Sequence, residues 1–215
     1  MQKSKIHFLI INFFIVIVFN SCVTYNVGND FKQVTLLENH FTNPYFSNAE
    51  TDYVYKTNIS VYGNELTGIF IAKKINETTH RVVFTTEFGN KLLDFEISET
   101  DFKINSIVDD LNKKILISTL KNDFRLILGN KYNIKEQLEN ETNTVYKSID
   151  GGCNNYIFIN KSNQNLYKII ASNNRKEKIN ITFTSDNSSF AKNIVIQHYN
   201  IKLRIELNHF KLDKN

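Results

Sequence analysis

The residues of this chain with types suited to chemistry are five histidines, two cysteines and a few paired carboxylates. His7, His40, His80, His198 and His209 form no HxxxH or HxH spacing, so the ligand patterns of common zinc sites are missing. Cys153 follows Asp150-Gly151-Gly152, a turn on which a nucleophilic thiol is conceivable. An activating histidine has no paired motif, and a buried structural thiol is the expectation. Asp109 and Asp110 are adjacent, and on a helix neighbours diverge by about 100°. Their expected role is to cap a helix by accepting its orphan amides, not to share a proton. Asp94 and Glu96 alternate with Leu93, Phe95 and Ile97, which predicts a solvated outer strand face. No GxSxG, P-loop or GxGxxG occurs. A non-enzymatic protein without cofactor or metal is expected.

The amino terminus carries a different kind of chemistry. Lys3 and Lys5 precede a mostly apolar run from Ile6 to Phe19, which ends in Asn20-Ser21-Cys22. Crossing a bilayer takes roughly twenty apolar residues, so this run is too short for a stable span and suits a cleaved leader. It resembles a bacterial lipoprotein signal, in which a small residue precedes a cysteine that is diacylated and becomes the new terminus. The resemblance implies a signal over residues 1–21 and lipidation of Cys22. Acyl chains contribute about 0.8 kcal/mol per buried methylene and would hold the domain at a membrane. Val23 to Asn29 carry no acidic run. That favours a lipid-anchored domain facing the periplasm. Once Cys22 is acylated, Cys153 has no partner for a disulfide.

The rest of the chain has the composition of a globular domain. Its 215 residues suit one domain large enough to bury a core without a staple. One Pro and seven Gly exclude collagen-like and linker-rich classes. The formal charge is +4; without Lys3 and Lys5 the 26 basic residues fall to 24, against 22 acidic. That near balance, with both signs interspersed, argues against nucleic acid. Residues 22–50 read as a lead-in or tether, with a short helix over Phe31 to His40 closed by Asn43-Pro44.

From residue 51 strand alternation dominates. Tyr53, Tyr55, Ile59 and Val61 share one face and Lys56, Asn58 and Ser60 the other. Gly63-Asn64 and Gly89-Asn90 are turn candidates. The first would set Val61 opposite Leu66, and the second Phe84 opposite Phe95. Further strands are expected over 66–75, 80–88, 91–98, 102–107, 145–149, 156–159, 166–172, 179–184, 194–198 and 201–207. Between them Leu111, Ile115, Leu116, Leu120, Phe124, Ile127 and Leu128 keep helical spacing, with a break near Ile115-Leu116-Ile117 and a C-cap at Gly129-Asn130. The predicted fold is α+β: a curved antiparallel β-sheet, a half-open barrel, wrapped around a helical insert.

Four pieces in order carry a family resemblance: Leu66-Thr67-Gly68, Thr86-Glu87-Phe88-Gly89-Asn90, the run ISTLKNDFRLILG over Ile117 to Gly129, and IKLRIELNHF over Ile201 to Phe210. Together they make residues 51–215 look like a lipid-binding domain of the LolA/LolB class, most similar to LolB-like receptors. The resemblance implies a membrane-anchored periplasmic protein that binds acyl chains or lipoproteins and passes them to the outer membrane. A periplasmic LolA-like carrier is the implied donor. It also implies a cavity lined by Ile59, Val61, Leu66, Phe70, Val82, Phe84, Leu93, Phe95, Ile97, Leu120 and Phe124, and a membrane or transfer hook at Phe88. The family's Trp positions are absent here, with Phe124 and Phe210 near where they would stand. The other reading is a structural or accessory envelope lipoprotein whose core is filled by the same residues and takes no lipid.

Overall fold

The computed structural model describes residues 25–129, 131–150, 152–173, 176–187 and 189–210. Cys22 and the leader lie outside them. The strands are β1 (Lys32–Val34), β2 (His40–Phe41), β3 (Asp52–Val61), β4 (Asn64–Lys74), β5 (His80–Thr85), β6 (Lys91–Ile97) and β7 (Phe102–Ile107). After a 3-10 turn (Asp109–Leu111) and one α-helix, α1 (Lys114–Leu128), come β8 (Tyr132–Glu139), β9 (Asn143–Asp150), β10 (Cys153–Asn160), β11 (Leu166–Asn173), β12 (Lys176–Thr184), β13 (Asn193–His198) and β14 (Leu203–His209). All pairings are antiparallel, in the order β1-β8-β9-β10-β11-β12-β13-β14-β3-β4-β5-β6-β7, with β2 also on β8. Two meanders, β3–β7 and β8–β14, are fused where β14 pairs with β3.

The sheet curls. Asp123 and Phe124 are neighbours on α1, yet Asp123 reaches His198 on β13 while Phe124 packs on Phe95 of β6. Five strand spacings separate β13 from β6, about 24 Å in a flat sheet. One short helix can touch both only if the sheet wraps around it. α1 is the connection between the two meanders, so it lies in the concavity while joining β7 to β8. Alternation then sorts side chains as expected. Tyr53, Tyr55, Phe70, Val82, Phe95, Ile194, Ile196, Leu203, Ile205 and Leu207 form one buried cluster with Phe124 and Ile127 of the helix.

Several local expectations are corrected. Phe31 to His40 is no helix: Lys32–Val34 and His40–Phe41 pair with β8 instead. Backbone pairing and the packing of Phe31 on Phe158 outweigh a weak helical preference. The segment expected as a lead-in also supplies Tyr45 and Phe46 to the core. β8 had no place among the expected strands. Its alternation begins with Tyr132 and Ile134, but a bulge between Ile134 and Glu136 breaks the period.

The two hairpin registers each differ by two residues. The first turn is Tyr62-Gly63, with Val61 opposite Asn64 and Ile59 opposite Leu66. Tyr62 (φ 49°) and Gly63 (φ 88°) both take the left-handed conformation that a two-residue hairpin of this type requires. In the second hairpin Val82 faces Phe95 and Phe84 faces Leu93, because a bulge at Thr85 and a longer loop intervene. A two-residue slip preserves the face of every side chain, so Phe84 and Phe95 still point the same way. At Gly68 β4 lies against β5 with no room for a side chain: a Cβ there would overlap the Thr85 carbonyl oxygen.

Asp109 and Asp110 do not cap α1. They lie inside the 3-10 turn, whose preceding Val108 makes no side-chain cap, and α1 starts later, after Lys113. The helical break thus falls at Asn112-Lys113 rather than at Ile115-Leu116-Ile117. Gly129 follows α1 with φ −56°, not in the left-handed form, and donates its amide to Arg125 O at 2.9 Å. Asn130 lies outside the described residues.

Candidate functional site in the concavity

The concave face is a layer of aromatic and branched side chains with one helix laid over it. Phe124 of α1 stacks on Phe70 of β4 (centroids 5.2 Å apart, planes 15°) and tilts against Phe95 of β6 (5.4 Å). Phe95 in turn meets Phe102 of β7 at 5.1 Å. Burying a phenylalanine of this kind stabilises by about 1.5–3 kcal/mol. At this point the space between helix and sheet is occupied by the three rings.

The residues expected to line a cavity divide by position. Phe70, Val82, Phe84, Leu93, Phe95, Ile97, Leu120 and Phe124 are buried in one cluster. Ile59 and Val61 pack against its margin and are partly buried. Leu66 stands near the β3–β4 turn and is exposed. Phe88 sits in the β5–β6 loop with 94% of its surface exposed. The backbone there is closed by Gly89 N–H donating to Thr86 O at 3.0 Å and Thr86 N–H to Asn90 O at 2.9 Å.

The helix is held by polar contacts that sequence reasoning did not identify. Asp123, wholly buried, faces the sheet, with Oδ2 2.9 Å from His198 Nε2. Burial pushes its carboxyl up, and His198 only partly opposes that shift. Asp123 Oδ1 has no hydrogen-bond partner among the described residues. Asn43 donates from Nδ2 to Ile127 O at 2.8 Å, and Arg125 donates to Ser98 O (3.2 Å) and Thr100 O (3.1 Å). The Tyr132 hydroxyl donates to Leu126 O. A signal for Asp123 existed: it falls in the apolar stripe, three residues after Leu120 and four before Ile127. His198 likewise keeps the inward parity of Ile194 and Ile196. The contributions of Asn43, Tyr45 and Phe46 had no periodic signal, since an irregular segment carries them.

Below the helix the core is pinned by tyrosines. Tyr45 donates to Leu166 O (2.7 Å) and Tyr55 to Ala191 O (2.8 Å), and burial raises the pKa of both phenols. His80 donates from Nε2 to Phe46 O at 2.9 Å, and burial lowers its pKa, favouring the neutral ring.

On the other face of the sheet, the expected solvated carboxylate Asp94 is in fact buried, with 1% of its side chain exposed. Arg81 reaches it with two bonds (3.0 and 2.7 Å), Lys91 with one (2.8 Å) and Asn105 with one (3.2 Å). Long basic side chains from β5 and β6 roof over it, which alternation does not reveal. These donors, Arg81 first, hold its carboxyl far below the usual carboxylate range. Glu96 receives Asn105 at 3.1 Å. Cys153 is half-buried at the start of β10. Among the described residues no helix is long and apolar enough to cross a membrane.

The sequence matches no protein-family model and no curated protein. Among solved structures the fold is similar to a Vibrio parahaemolyticus domain named for outer membrane lipoprotein sorting. The TM-score is 0.43 and the identity 9%, over 74% of this chain and 83% of that one. It is also similar to a DUF1329 family protein from Desulfovibrio piger ATCC 29098, with TM-score 0.40 and 8% identity, over 74% and 84%.

Proposed function

We propose that this chain is an envelope lipoprotein, anchored through an acylated Cys22, which binds acyl chains or lipoproteins in the concavity and passes them to the outer membrane without catalysis. The observation that carries this reading is the way α1 closes the concave face. A continuous apolar sheet surface is covered by a single helix, and that helix buries an incompletely satisfied carboxylate against the sheet. A buried polar atom without a partner typically costs about 1–3 kcal/mol, so closure is weaker than an all-apolar contact of the same shape. A lid of this kind can yield to acyl chains, which need apolar walls and few polar groups. The Ser21-Cys22 leader and the LolB-like motif order support the same reading.

The test is uptake of a fluorescent fatty acid by the full chain, with mass spectrometry of lipid that co-purifies. Phe84→Arg places a charge in the concavity and is expected to abolish uptake. Bound lipid in neither measurement would remove the proposal. Anchoring is read by metabolic labelling with a fatty-acid analogue: Cys22→Ala is expected to lose the label and the membrane fraction.

A second reading rests on the contact of Phe124 with Phe70 and Phe95. Rings filling the concavity favour an accessory envelope lipoprotein with a solid core and no ligand. Phe84→Ala separates the two. In a filled core it is expected to cost about 3–5 kcal/mol, and in an open one much less.

A further inference from the structure

The exposed large apolar residues are not scattered. Register places on one rim of the sheet the strand ends that the β3–β4, β5–β6, β9–β10, β11–β12 and β13–β14 connections join. Tyr62, Leu66, Phe88, Ile149 and Tyr199 are exposed along that rim, and Ile115 follows at the start of α1, which leaves from the same side. The opposite rim carries Ile75 alone of that class among the described residues, and Leu37 lies on the β1–β2 connection. Tyr62 holds its exposed ring on a left-handed backbone (φ 49°), a position that favours Gly or Asn. Between Tyr62 and Tyr199 is an open depression of about 630 Å³, walled also by Gly63, Asn200, Ile201 and Lys202.

Residues 25–32 run along the outer face of the sheet between the middle of β10 and the opposite rim. Tyr25 packs on Tyr156 of β10 at 5.3 Å, and Phe31 follows on Phe158 at 6.3 Å. Lys32 then pairs with Glu139, near the far rim. Read backwards, residues 32 to 25 descend the outer face toward the tyrosine-bearing tips. The Tyr25 phenol lies within electrostatic reach of Glu177 and Tyr199. Cys22 precedes Tyr25 by three residues, a reach of at most about 11 Å.

We infer that this rim docks on the phospholipid bilayer, with Phe88, Tyr62 and Tyr199 entering the headgroup boundary and α1's start turned toward the lipid. Tyrosine rings suit that boundary because one end is apolar and the other hydrogen-bonds. Exposed large apolar groups gathered on one side also call for a partner surface. Charge is not the driving term: on this side Lys91, Lys113, Lys114, Lys131, Lys176, Lys178 and Lys202 are nearly balanced by Glu65, Glu87, Asp109, Asp110, Asp150 and Glu177. Docking is therefore expected to persist at high salt.

The inference rests on the proposed lipid-carrier function at a membrane, and its experiment separates the two. The full acylated chain, in a Cys153→Ser background, receives one nitroxide label at Phe88→Cys, Tyr199→Cys, Ile75→Cys or Glu141→Cys. All four positions are exposed, so folding is preserved. On vesicles of phosphatidylethanolamine and phosphatidylglycerol, the Phe88 and Tyr199 labels are expected to lose collisions with an aqueous nickel complex and keep those with oxygen. The Ile75 and Glu141 labels are expected to keep both. Four water-accessible labels, or immersion of the Ile75 side, overturns the docking. Fatty-acid uptake from the same vesicles is read separately. Immersed rim labels without uptake remove the carrier reading alone, and uptake with water-exposed rim labels removes the docking alone.

Discussion

Asp94 shows how far a surface-patterned carboxylate can be drawn into a structure. Its folded pKa is depressed by Arg81, Lys91 and Asn105, so its contribution to stability is complete above the ordinary carboxylate pKa. That contribution is lost as pH falls through the lowered folded value. Asp94→Asn is expected to destabilise by about 1–3 kcal/mol at neutral pH, toward the lower end because Arg81 and Lys91 are half exposed. Melting temperatures of the two proteins should converge as pH drops below about 4, the unfolded carboxylate range. A gap unchanged into strong acid would mean that the cluster is not ionic. Phe88 is the opposite case, an apolar residue left in water. Phe88→Glu is expected to leave the melting temperature nearly unchanged while reducing lipoprotein transfer into liposomes. Unchanged transfer would remove the hook role.

At the scale of elements, α1 is the part on whose attachment the proposed function depends. Its apolar contact and its polar latch make different predictions. Asp123→Ala alone leaves His198 buried without its partner and is expected to cost about 1–3 kcal/mol by denaturant unfolding. Replacing both, Asp123→Leu with His198→Leu, removes the unsatisfied oxygen together with its partner and is expected to be neutral or stabilising. If α1 is a lid, that more stable double variant should take up acyl chains more slowly. Equal uptake rates would detach the latch from function. The β4–β5 pair is constrained differently: Gly68→Ala has no room beside the Thr85 carbonyl and should destabilise by displacing one strand from the other.

At the scale of the molecule, the two meanders become one sheet only through β14 and β3, whose pairing joins Leu203 to Val61 and His209 to Tyr55. Such distant pairing closes a long loop before it gains contacts, so it forms late and makes unfolding cooperative. The full chain is expected to unfold in urea in one transition. Deleting residues 203–210 should abolish that single transition by circular dichroism, because both β3 and β13 become edges with exposed apolar faces. A truncated chain that still unfolded cooperatively would show that each meander folds alone. The outer face adds a second, smaller core, where Val145, Tyr156, Phe158 and Ile170 are covered by Tyr25, Val27 and Phe31. That clasp ties residues 25–31 to the sheet.

Period-two alternation determined by itself which residues of β3, β4, β5, β6, β13 and β14 face inward, and helical spacing determined α1. Both follow from backbone geometry that repeats locally, so no distant contact is needed to read them. The inward faces of Phe70, Phe84 and Phe95 survived even where the hairpin registers slipped, because the slip was two residues. Tertiary structure alone decided the rest. Asp94 and Glu96 alternate alike, but only Asp94 lies beneath Arg81 and Lys91. Tyr45 and Phe46 belong to no periodic element and are buried because the curled sheet leaves room for them. His198 and Asp123 stand 75 residues apart and meet only when β13 is bent round to α1. The gathering of Tyr62, Phe88 and Tyr199 on one rim depends on the order of fourteen strands. Strand order is set by which apolar faces can be buried together, and that is a property of the whole chain.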